Sequence, residues 1–105
     1  MTPFDPGNNQ TIAQANATSS AGGTLPDTAS VVVLTNSSAT AIAYFTYRAG
    51  QAAATAVVPS GGTLGALPVL PGQQIRISVN TGPKTYATIA SAADGTLFIT
   101  PGDGN

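Results

Sequence analysis

Glycine or proline recurs at 6–7, 22–23, 26, 50, within 59–62, at 65, 68, 71–72, 82–83, 95 and within 101–104, cutting the chain into short runs. An isolated helix needs about 12–15 residues to be even marginally stable in water, so few of these runs can support one. The runs are rich in β-branched residues bounded by turn formers, which is the strand signal of a sandwich or barrel. The longest stretch free of both breakers, 27–49, contains Val31-Val32-Val33 and then Asn36-Ser37-Ser38, which reads as two strands around a polar turn.

Eight strands are expected on this pattern. They are Thr11–Ser19, Ala29–Thr35, Ala41–Tyr47, Ala53–Val58, Thr63–Val69, Gln74–Val79, Lys84–Ala90 and Gly95–Thr100. Ala29–Thr35 is the most apolar and reads as central. Gln74–Val79 alternates cleanly, with Ile75, Ile77 and Val79 on an inward face and Arg76 and Ser78 outward. Ala41–Tyr47 is different. It puts Ile42, Tyr44 and Thr46 on one face and Ala43, Phe45 and Tyr47 on the other, so aromatic area lies on both sides. Such a strand either lies between two packed layers or offers one face to a neighbouring subunit.

About eight short antiparallel strands in roughly one hundred residues predict an all-β, two-sheet β-sandwich of the jelly-roll kind. An immunoglobulin-like Greek key is the nearest competitor, but its cysteine pair around a tryptophan is missing. The sandwich domain is expected over 11–100, with 1–10 as an N-terminal arm and 101–105 as a C-terminal tail. Strand order is not readable from the pattern.

The side chains available for chemistry are few. Of 105 residues, three are Lys or Arg and four are Asp; Glu, His, Cys and Trp are absent. Without His or Cys, no Ser–His or Cys–His nucleophile pair can be assembled, and zinc, haem and iron–sulfur sites lose their usual ligands. Asp94-Gly95 reads as a turn rather than half of a carboxylate pair. A calcium ion shared by Asp94 and Asp103 would need more converging oxygens than this spacing supplies. The glycine-rich stretches lack the lysine of a phosphate loop. We therefore expect a protein that is not an enzyme and uses no cofactor or metal.

Three scattered cations cannot neutralise a run of phosphates, so nucleic acid is not an expected partner. No stretch approaches the roughly 18 apolar residues of a membrane span, so no membrane partner is expected either. The start has neither a basic nor an apolar region of the signal-peptide type. Without such a signal, the sequons at Asn9, Asn16 and Asn36 read as chance matches in a chain rich in Ser and Thr. Net charge is −1 and mean hydropathy is +0.17, so the chain is not of the disordered type. A nearly neutral, hydroxyl-rich surface repels neighbours weakly, which suits a molecule packed against others. Tyr44, Tyr47, Arg48, Lys84 and Tyr86 are the candidate protein-contact residues. For Arg48 and Lys84 the plainer alternative is a solvated charge guarding a strand end.

The order of segments resembles the capsid cement, or decoration, proteins of tailed bacteriophages. The resemblance runs over about residues 10–102, through Thr11-Ile-Ala-Gln-Ala-Asn-Ala-Thr-Ser, Val32-Val-Leu-Thr-Asn-Ser and Ala41-Ile-Ala-Tyr-Phe with Gly50 after it. It continues through Ala54-Thr-Ala, Leu67-Pro-Val-Leu-Pro-Gly72 and Thr96-Leu-Phe-Ile-Thr-Pro-Gly-Asp-Gly. It implies a jelly-roll-like sandwich on the outer capsid surface of a virion. There the protein would bind and bridge subunits of the major capsid protein as a homo-oligomer, a dimer or trimer, and stabilise the head. The alternatives are a tail-fibre module binding a receptor or glycan, and a tail or head–tail connector component.

Overall fold

The computed structural model describes residues 5–6 and 9–103. Nine strands form among them: β1 (Asp5–Pro6), β2 (Ile12–Ala15), β3 (Ala21–Leu25), β4 (Val31–Asn36), β5 (Ala43–Ala49), β6 (Leu67–Val69), β7 (Gln74–Ser78), β8 (Lys84–Ala90) and β9 (Thr96–Asp103). No described residue is helical. One sheet has the order β1-β9-β4-β7, with β2 also paired to β9; the other runs β3-β8-β5-β6. Every pairing is antiparallel.

Four of the ladders are nested. Ile12 pairs with Ile99, Ala21 with Thr88, Val32 with Ile77, and Ala43 with Val69. The chain thus behaves as one long hairpin, β2 to β5 going out and β6 to β9 returning, wrapped so that its paired arms fall alternately in the two sheets. Rolling the hairpin adds the β4–β9 and β5–β8 contacts. That order is the eight-stranded jelly roll, the architecture expected from the strand count.

The core lies between the sheets. Val32, Leu34, Leu97 and Ile99 from one sheet meet Leu25, Ala43, Phe45, Val69 and Tyr86 from the other, with Ile12, Tyr47, Ile75 and Ile77 packed at its margin. Phe45 and Tyr86, on adjacent strands, hold their rings 6.2 Å apart and nearly parallel. Fully burying such a side chain contributes about 1.5–3 kcal/mol, and this small core has few of them.

Several boundaries differ from the sequence expectation. Residues 53–58 join no ladder, and the expected strand at 63–69 shrinks to Leu67–Val69. Residues 50–66 instead lie across the outer face of the four-stranded sheet. There Ala56 and Ala66, with Ala54, pack on Tyr44, Ala87 and Ile89. Ala56 N–H donates to Ser20 Oγ at 2.9 Å, and Thr85 Oγ1 donates to the Ala52 carbonyl at 2.7 Å. Small alanines let this segment lie flat on the sheet, and its backbone is held from the side. β5 is therefore the internal strand between two layers, which accounts for its aromatic residues on both faces.

β3 was not expected, because Gly22 and Gly23 are poor strand residues. A Cβ on Gly22 would collide with the Tyr86 backbone, and one on Gly23 would meet the Tyr86 ring at 3.4 Å. Glycine is what the close approach to β8 requires. The tail placed at 101–105 begins inside a strand, since β9 continues to Asp103 and Pro101 and Gly102 are buried. Within the arm placed at 1–10, Asp5 and Pro6 pair with Asp103 and Gly102; residues 1–4, 7–8 and 104–105 lie outside the described residues.

Candidate docking surfaces

The two sheets differ in what covers them. The outer face of the four-stranded sheet is roofed by residues 50–66, as above. On the outer face of the five-stranded sheet Val31 is fully buried, Val33, Thr35 and Thr100 are half-buried and Phe98 is exposed. Because Leu97 and Ile99 point into the core, Phe98 and Thr100 point away from it, and the ladder sets Thr35 beside Phe98 and Val33 beside Thr100. Across the other edges, Ala13 pairs with Phe98, Gln74 with Thr35 and Arg76 with Val33. The face is thus a flat array of hydroxyl, methyl and amide groups around one exposed phenyl ring, with Arg76 at its border. A shallow depression of about 460 Å³ is walled by Pro6, Val33, Gln74, Ile75, Arg76 and Thr100. Thr11 and Thr100 hydroxyls hydrogen-bond at 3.1 Å along one margin.

One end of the sandwich is closed by polar side chains. Asn36, 1% exposed, donates its amide to the carbonyls of Ala41 and Val69, each at 2.9 Å, while its oxygen accepts from Ser38 N–H and from Asn16. Asn16 also donates to the Asp94 carbonyl at 2.8 Å. The Asp94 carboxylate accepts from Ser38 Oγ at 2.8 Å and Thr40 Oγ1 at 2.9 Å, and these bonds hold it below the ordinary carboxylate range. Gly95 adopts a φ of 76°, and a Cβ there would lie 2.7 Å from Ser38. This cluster ties the 16–20, 37–42 and 91–95 connections together. It also occupies two sequons, since the amides of Asn16 and Asn36 are buried and engaged.

The candidate contact residues scatter. Arg48 is exposed near the end of β5. Tyr44 lies half-buried under the 50–66 segment, and Tyr47 is half-buried at the core margin. Tyr86 is buried, its hydroxyl 3.3 Å from Gln14 Oε1, and burial pushes its phenol above the usual range. Lys84 is not a solvated charge. It is 2% exposed and donates to the carbonyls of Gly82 at 3.0 Å and Asp27 at 3.4 Å. Burial lowers its ammonium below the usual lysine range, while the nearby Asp27 carboxylate pulls the other way. The five residues do not converge on one surface.

Phe98, Val33 and the apolar side chains near β6 were not among the sequence candidates. A signal for Phe98 was present, because it alternates with Leu97 and Ile99 in an otherwise hydroxyl-bearing strand. Asp94 and Asp103 sit at opposite ends of β9, which at about 3.3 Å per residue separates them by roughly 20 Å or more, too far to share an ion. No group of three or more acidic, His or Cys residues is gathered among the described residues.

No family model, no curated protein and no solved structure matches this chain.

Proposed function

We propose that the chain is a non-enzymatic structural protein of a virion, a capsid cement that docks on the outside of a phage head and bridges subunits of the major capsid protein. The observation that carries this reading is the asymmetry of the sandwich. One sheet is roofed by the chain itself, while the other exposes Phe98 on a face otherwise lined by Val33, Thr35 and Thr100, with Arg76 at its border. Contact made through such a face desolvates few charges, so broad hydrogen-bonded packing carries little penalty. A molecule touching several capsid subunits gains further from avidity, since each later contact forms at high effective concentration. The jelly roll recurs in capsid proteins, but it also serves lectins and enzymes, so the fold supports the reading by analogy alone.

A glycan-binding tail module is the rival, and the tyrosines weaken it. Sugar platforms use exposed aromatic faces, whereas Tyr44 and Tyr47 are half-buried in packing and Tyr86 is buried. The test is the composition of purified particles of the phage that encodes the chain. The protein is expected on intact heads, and heads lacking it should release DNA at a lower temperature. Its absence from particles, or its confinement to tails, overturns the reading.

A further inference from the structure

Of the five large apolar side chains exposed among the described residues, Val57, Leu64, Leu67 and Leu70 fall in one short segment, with Phe98 the exception. Leu64 stands out at 92% exposed. The backbone on both sides of it is constrained. The turn before it is closed by reciprocal backbone hydrogen bonds between Ser60 and Thr63, with Gly61 and Gly62 at positive φ. Gly65, after it, is pressed so closely on Pro59 and the Val57 carbonyl that no Cβ would fit.

Immediately beside this knob lies a hole. Gly65 and Leu67, with Phe45, Tyr47, Ile77 and Ser78, wall a groove of about 290 Å³ where β6 and β7 form the outer edges of their sheets. Apolar side chains supply the larger share of its wall, beside Thr46 and Ser78, but Leu64 is directed into solvent. No Asp, Glu, Lys or Arg occurs from residue 49 to residue 75, and the cations that bracket the groove are Arg48, after Tyr47, and Arg76, before Ile77.

We propose that this edge is the contact between two copies of the chain, with Leu64 of each seated in the groove of the other. A knob and a hole on the same patch are satisfied reciprocally by a two-fold axis, which is the geometry of an isologous dimer. Two copies, each with a net charge of −1, have almost no long-range repulsion to overcome. The inference deepens the homo-oligomer part of the cement reading and rests on it for purpose only, because the contact forms without a capsid.

The experiment uses the full chain in solution. Sedimentation velocity over a concentration series is expected to show a dimer that Leu64→Asp converts to monomer, with an unchanged β-sheet circular dichroism spectrum because the side chain is exposed and a melting temperature that no longer rises with concentration. The chain has no cysteine, so a cross-link reads cleanly. Mixing Leu64→Cys with Ser78→Cys protein under mild oxidation should give a disulfide-linked heterodimer at least ten-fold in excess of either protein alone. A wild-type protein that stays monomeric, a dimer that survives Leu64→Asp, or a trimer would each overturn the proposal. Particle binding is scored separately: a monomer that still decorates heads removes this interface and leaves the cement reading intact.

Discussion

Asn16 donates its side-chain amide to the side-chain oxygen of Asn36 at 3.3 Å, joining the β2–β3 connection to the end of β4 inside the protein. The contact matters because Asn36 also satisfies the carbonyls of Ala41 and Val69 and the amide of Ser38. Asn36→Ala would leave these groups buried without partners, and each costs about 1–3 kcal/mol. We expect a loss of several kcal/mol in urea unfolding, enough to unfold a small domain of ordinary stability. A loss below about 1 kcal/mol would mean that water replaces the amide there.

Asp94 gives the same end of the sandwich a pH dependence. Its carboxylate accepts hydrogen bonds from Ser38 and Thr40, so its folded pKa lies below the ordinary value of 3.8. A depressed acid stabilises the fold above its unfolded pKa, and that contribution fades as pH falls through the folded value. Wild type should therefore exceed Asp94→Asn in melting temperature at neutral pH, with the gap closing below about pH 4. A gap that stays constant down to the acid limit would contradict the assignment.

How much of this fold is legible in the residues depends on where the decisive contact lies. Gln74–Ser78 and Lys84–Ala90 announce themselves because alternation and β-branching are local properties. The strand Ala21–Leu25 does not. Its Gly22 looks like a breaker until Tyr86, far along the chain, is found against it. Residues 53–58 mislead in the opposite sense, because an alanine-rich segment has the same local pattern whether it pairs edge-on or lies across a sheet. The burial of Lys84 likewise depends on carbonyls from the 26–30 and 79–83 connections, which no local pattern encodes. Phe98 was legible in principle, since it interrupts a strand otherwise apolar only on its inward face.

Gly22→Ala tests the missed strand. The added methyl meets the Tyr86 and Ala87 backbone, and overpacking of this kind costs about 1–3 kcal/mol. Differential scanning calorimetry should record a lower melting temperature. An unchanged one would mean that β3 does not press on β8 as described.

Phe98 tests the outer face of the five-stranded sheet. Its ring is 37% exposed and outside the core, so Phe98→Glu should change stability by no more than about 0.5–1 kcal/mol. Binding to undecorated heads, measured by co-sedimentation, should fall at least ten-fold, because a buried unpaired carboxylate disrupts a desolvated contact. Stable protein with unaltered head binding would move the docking surface elsewhere on the molecule.

The most direct measurement is a density map of the intact particle at a resolution that separates strands. The expected result is a small jelly roll on the outer shell at a junction between capsid subunits, with β9 and β4 turned toward the shell and residues 50–66 turned away. A shell without such density, or a jelly roll resting on its 50–66 side, would contradict it.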